Sequence, residues 1–253
     1  MQSIQSFFSL FFSRGKSKGA APRFRAIKLY TVAAEGHALA LNRPLLVQTI
    51  LDVMHHHFQA LPKEYDISGP YGIRKGSSVG IKSFLNRLQK KGHDKYYAMH
   101  GSTTDHFGFE LHLESGQGKY NELIIWFDLS LYPADETGIV RELIDAFHTD
   151  YGYTVDFPTN YSITLESEIR YKWGTYSSSM NPDLSIWLKN IQTVHEGNLR
   201  DLYKINFLNP SQYARLAPTI ASLVQHLADN LYVLEFNDAE SFQAVKNHMA
   251  STN

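Results

Sequence analysis

The chain has 253 residues, 43% of them hydrophobic and 19% charged, with a net charge of −1. Such a chain buries a substantial core, lies well outside the disordered class and lacks the basic excess of a nucleic-acid binder. Cysteine is absent, which excludes disulfides, thiol nucleophiles and cysteine-based zinc sites and fits a cytoplasmic protein.

Residues 1–22 differ from everything after them. Their apolar run, Phe7 to Phe12, is shorter than the about 20 residues of a spanning helix, and Arg14, Lys16 and Lys18 follow it rather than precede it as in a secretory signal. The segment reads as a flexible tail, with an interfacial anchor as the alternative, and no stable membrane insertion is expected. Residues 23–253 are expected to form one α+β domain, mainly an antiparallel sheet with helices packed on it. Two related α/β halves, about 23–158 and 159–253, are the alternative division.

From Arg23 the alternation of Phe24, Ile27, Leu29 and Val32 predicts a first strand. Asn42 and Pro44 then open a helix running to Leu61, which contains His55, His56 and His57. Consecutive helical residues point about 100° apart, so this run is not expected to converge on a metal ion. Asp52 with His56 has chelating spacing, yet no second ligand pair completes it. The loop from Ser68 to Ser78 has no phosphate-binding spacing and leads to a helix carrying Val79, Ile81, Phe84, Leu85 and Leu88 inward.

The clearest sheet signal follows. Phe107, Phe109, Leu111 and Leu113 alternate along one strand, and Leu123, Ile125, Phe127, Leu129 and Leu131 along the next, with Gly116, Gly118 and Asn121 at the connection. If the two strands pair, their other face collects Glu110, His112, Glu114, Trp126 and Asp128. That face has three readings: a carboxylate–histidine site for metal or acid–base chemistry, a partner-binding surface with Trp126 as its aromatic anchor, or a face that is covered or simply solvated. The five residues are carried forward as the partner-binding candidates.

Thr137 to Tyr151 predicts an amphipathic helix stopped by Gly152, and Tyr153, Val155 and Phe157 a short strand. Glu166 and Glu168 read as surface carboxylates near Arg170 and Lys172, because sequence neighbours rarely form a catalytic carboxylate pair. Trp187 and Leu188 begin the next helix. Thr219 to Ala228 is predicted helical, LYVLEF a strand, and the residues after Asn237 a last helix.

Between these lies Asn198 to Leu216. His195 to Asn198 predicts a turn, Leu202 to Leu208 an extended segment, and Asn209 with Pro210 a capped helix start. Arg200 and Asp201, charges at the mouth of an apolar strand, are expected to clamp turn to strand. Gly197, Leu199, Arg200, Asp201, Leu202, Tyr203, Asn206 and Leu208 together resemble the "G-x-L-R-D-V-Y-x-x-N-x-L" signature of the immunity protein 52 family, with Lys204 where that pattern often has Pro. The resemblance covers the chain from about Trp187 onward. It implies a bacterial immunity protein of a polymorphic or type VI-delivered toxin system: a cytoplasmic, non-enzymatic antitoxin that binds and neutralises a cognate protein toxin without a cofactor. It also makes Arg200, Asp201, Tyr203 and Asn206 structural residues. A carboxylate/histidine-dependent hydrolase using His112 is the other functional reading.

Overall fold

The computed structural model describes residues 23–33, 41–68, 79–89, 98–103, 106–115, 119–132, 135–158, 161–172 and 175–252. The expected N-terminal tail, most of the glycine-rich loop and the Gly116–Gly118 connection lie outside the described residues.

A single nine-stranded sheet runs through the molecule in the order β12-β13-β11-β6-β1-β5-β4-β3-β2. Its strands are β1 (Arg23–Val32), β2 (Glu64–Ser68), β3 (Ala98–Thr103), β4 (Phe107–Glu114), β5 (Tyr120–Asp128), β6 (Tyr151–Pro158), β11 (Ile205–Leu208), β12 (Val224–Ala228) and β13 (Leu231–Glu235). Every neighbouring pair is antiparallel. The fold is thus the expected α+β class, with β1 at the centre of the sheet. Since β11 pairs with β6, the sheet crosses from the first part of the chain to the last.

The alternation along β4 and β5 fixes which face is core. Phe107, Phe109, Leu111, Leu123, Ile125 and Phe127 join Ile27 and Leu29 of β1 in one buried cluster. Three helices cover it: α1 (Arg43–Phe58), α2 (Ile81–Gln89) and α3 (Glu136–Phe147). Asn42 caps α1, its side chain accepting the Leu45 N–H at 3.2 Å. The cap of α3 is Asp135 rather than Thr137, and α3 ends at His148 in the left-handed region rather than at Gly152. Gly152 belongs instead to β6.

Two rings of α1's last turn meet one carboxylate. His56 Nδ1 and His57 Nε2 lie 2.8 and 3.2 Å from the same Glu142 oxygen on α3. Although consecutive Cβ atoms diverge around the helix, His56 presents its near nitrogen and His57 its far one, and α3 supplies the carboxylate where they meet.

The second sheet face is not open. Segments between β6 and β11 pack over it, with Ile163, Ile191, Val194 and Leu202 in its buried clusters. They include two small hairpins, β7 (Tyr161–Ser162) with β8 (Ser167–Glu168) and β9 (Arg170–Lys172) with β10 (Thr175–Ser177). Helix α4 (Pro182–Lys189) and a 3-10 helix (Ile191–Glu196) follow, so α4 starts five residues before Trp187. Helices α5 (Pro210–Ile220) and α6 (Ala239–Thr252) complete this layer. Asn209 and Gln212 form a reciprocal capping box at the start of α5, with Pro210 in its first turn. The helix expected over Thr219–Ala228 is corrected: α5 ends at Ile220, and Val224–Ala228 is an edge strand hairpinned to β13. Asp229 and Asn230 supply the turn, and pairing with β13 outweighs the weak helical spacing of the stretch.

Gly108 shows how tightly the second face is covered. A Cβ there would stand 2.6 Å from Trp126 Cζ2 and 2.7 Å from the Gly101 carbonyl oxygen. Gly108→Ala is expected to lower stability by about 1–3 kcal/mol through overpacking, read from urea unfolding. Among the described residues no helix is long and apolar enough to cross a membrane.

Candidate functional site

Lys28 stands mid-strand between Ile27 and Leu29 on the central strand, so its side chain points into the second face with no exposure. A buried ammonium needs partners. Lys28 Nζ meets Glu166 Oε1 at 2.9 Å and Glu122 Oε1 at 3.3 Å. The other Glu166 oxygen pairs with Arg200 Nη2 at 2.6 Å. Arg200 Nη1 donates to the Tyr153 hydroxyl at 2.6 Å, and that hydroxyl donates to Glu166 at 2.8 Å. The Tyr30 hydroxyl donates to Glu122 at 2.8 Å. Two cations thus face two carboxylates in a closed, neutral network.

Burial alone would raise the pKa of Glu166, but Lys28 and Arg200 hold it down to about 2. Burial opposes a charged Lys28 as well, and the two carboxylates outweigh it, leaving its pKa raised. Burial pushes Tyr30 and Tyr153 well above the usual phenol range. All these groups therefore stay in one protonation state around neutral pH. Glu166 reaches this position from the turn between β7 and β8, with φ of 49°. A non-glycine residue in this region costs about 1–3 kcal/mol, and the two cations that grip the carboxylate over-determine the strained backbone.

The signature segment forms the next shell. Gly197 turns the chain at φ of 87°, where a Cβ would also lie 2.9 Å from the Ser211 carbonyl oxygen. Tyr203 stacks on Tyr153 with ring centroids 4.0 Å apart and planes 11° from parallel. Asn206 is fully buried; its carbonyl accepts the Tyr203 N–H at 2.9 Å, and its amide donates to the Tyr203 carbonyl at 2.7 Å. Asp201 differs from these three: its side chain is 55% exposed, accepts the N–H of Leu202, and lies 3.9 Å from Lys246. Asn206→Ala is therefore expected to cost about 1–3 kcal/mol by orphaning two half-buried backbone groups of Tyr203, and Asp201→Ala less than about 1 kcal/mol. Chemical denaturation of the two variants separates them.

Above the network a cleft of about 750 Å³ opens between α4, the 3-10 helix and residues 198–203. Glu166, Arg200 and Tyr203 contribute to its wall, and Asp183, Ile186 and Asp201 also line it. Ile186 is 60% exposed, and Met180, six positions before it, is another exposed large apolar side chain.

The five candidates from the β4–β5 face do not form one open surface. Trp126 is only 1% exposed, packed with Phe24, Ala26, Ile124, Phe157 and Ile163, so the expected exposed anchor is core. Glu110 is buried, accepting from the Thr164 hydroxyl at 2.6 Å and lying 3.1 Å from His112 Nε2. Asp128, also buried, accepts the Ser130 N–H and hydroxyl at the strand end. Glu114 reaches outward to Arg43 at 2.6 Å. The reason is topological: the chain after β6 returns over this face, with Tyr161 and Ile163 packed at the Trp126 cluster and Thr164 on Glu110.

Glu166 is likewise not the surface carboxylate expected from its neighbours, whereas Glu168 is exposed and lies 3.9 Å from Arg170. Lys28 draws no functional reading from its sequence, and Glu122 alternates onto the face of Trp126 and Asp128 without marking itself as an ion partner. A lysine flanked by Ile and Leu in the middle of an apolar strand is the signal that points to such a network.

The fold and site together define an α+β protein with a saturated buried ion network beneath a cleft of mixed polar and apolar lining. No family model matches the chain, and no curated protein matches it. Among solved structures it is similar to the Pseudomonas aeruginosa T6SS protein PA0821, aligned over 97% of this chain and 80% of that chain at 11% sequence identity with a TM-score of 0.50. At that identity the likeness concerns the fold alone.

Proposed function

We propose that the protein is a non-enzymatic immunity protein that binds and neutralises a cognate secreted bacterial toxin in the cytoplasm. The observation that carries this reading is the placement of the signature segment. Its Arg200 and Tyr203 build the wall of a cleft whose rim holds the exposed Ile186 beside Asp183 and Asp201. An exposed aliphatic anchor among carboxylates suits a basic, partly apolar protein surface, with the charges steering association. The resemblance of the segment to the immunity protein 52 family supports the same class. The fold neighbour, a T6SS protein by name, fits a type VI context.

The chemistry of the network supports binding over turnover. Its carboxylates are engaged by cations and tyrosines, and Glu166, held near 2, is far from the pKa of a general acid or base working at neutral pH. A hydrolase would instead centre on the His112–Glu110 pair. Co-expression with the product of the reading frame neighbouring its gene tests the proposal. Growth of cells poisoned by that product is expected to be restored by this chain and by its His112→Gln variant alike. Rescue that disappears with His112→Gln, in a variant that still folds, would favour the hydrolase; no rescue by the unaltered chain would end the immunity reading.

A further inference from the structure

We propose that His56, His57 and Glu142 form a binding site for one divalent transition-metal ion of the zinc class. The residues come from two elements: the two histidines from the last turn of α1 and the glutamate from the middle of α3. One nitrogen from each ring and one carboxylate oxygen lie within 4.8 Å of one another. His56 Nδ1 is 2.8 Å and His57 Nε2 is 3.2 Å from Glu142 Oε1. In a tetrahedral zinc site with bonds of about 2.0–2.1 Å, neighbouring donor atoms stand about 3.3 Å apart. Two edges of the required triangle are thus already near their bound length.

The donor set suits that choice. Two imidazole nitrogens and one carboxylate oxygen match zinc, nickel or copper, whereas magnesium and calcium prefer oxygen alone. The frame is firm, because the residues flanking the ligands, Met54, Phe58, Ile139 and Leu143, are buried in the main core. Rigid elements hold donor atoms better than loops. The carbonyl end of α1 adds negative potential at the position of the ion. The His57 side chain lies against the first turn of α3, where its Cε1 would be 3.4 Å from a Cβ on Gly138. His56 is 67% exposed, so the remaining coordination positions face solvent. Water would fill them in the isolated chain. A bound ion would tie the end of α1 to α3, on the sheet face opposite the cleft, so the proposal does not depend on the immunity reading.

The test uses the full chain freed of any histidine tag. Calorimetric titration with zinc chloride is expected to give one ion per chain, with a dissociation constant in the micromolar range or tighter and a raised melting temperature at saturation. His56→Ala and Glu142→Gln, both at partly exposed positions, should each weaken binding by about tenfold or more. His55→Ala, on the same helix turn but outside the cluster, should leave it unchanged. Magnesium chloride should produce no binding heat. An absence of zinc binding would overturn the proposal. So would stoichiometric binding that survives both His56→Ala and Glu142→Gln, or that is lost equally with His55→Ala.

Discussion

Glu166→Gln is expected to lower the stability of the folded chain by about 3–5 kcal/mol, because it leaves Lys28 and Arg200 buried without their shared carboxylate. The side chain keeps its volume, so the loss is electrostatic rather than a cavity effect. Urea unfolding measures it directly. Removing a cation and a carboxylate together is expected to be far milder. Lys28→Met with Glu122→Gln leaves the Glu166–Arg200 pair intact and should cost no more than about 1–2 kcal/mol.

The same carboxylate predicts a pH dependence. The folded pKa of Glu166 lies near 2, below its ordinary value of 4.5, so the folded state favours the ionised form. The stability this contributes, on the order of 3 kcal/mol, is fully present above about pH 4.5 and is lost as pH falls from there toward 2. The stability gap between the unaltered chain and Glu166→Gln should therefore narrow over that window. A gap that stays constant down to pH 2 would mean the ion pairs contribute nothing net.

Ile186→Arg carries the second large effect. With Ile186 60% exposed on α4, its replacement should leave the melting temperature unchanged. In the immunity reading it should nevertheless weaken toxin binding by about 2–4 kcal/mol, mainly through faster dissociation. Asp183→Lys on the same rim should act differently, slowing association by an amount that shrinks as salt rises. Surface plasmon resonance on folded samples separates the two. Unchanged affinity in both variants would move the interface away from this cleft.

What the sequence made legible was local. Asn42 before Pro44, Asn209 before Pro210 and the alternation through β4 and β5 act over a few residues. The two caps and the core face lie where those patterns place them, while β5 ends at Asp128, short of the expected Leu129 and Leu131, and Leu131 is exposed. What local patterns do not carry are contacts made far along the chain. Lys28 and Glu166 are 138 positions apart, and nothing near either residue announces the other. Trp126 alternates onto the polar side of its strand, and it is core because Phe24, Phe157 and the returning Ile163 pack around it there. Val224–Ala228 has the spacing of a helix, yet it folds as a strand because pairing with β13 outweighs that spacing. Arg200 and Asn206 were visible through the signature, but their partners Glu166 and Tyr203's backbone were not.

Protection by stoichiometric binding is tested most directly by a titration of toxin activity. The product of the neighbouring reading frame is held at a concentration well above the dissociation constant, and this chain is added in increments. Toxin activity is expected to fall linearly to zero at one equivalent and to be independent of incubation time. Complete inactivation by a small fraction of an equivalent, growing with time, would contradict the account and mark the protein as an enzyme.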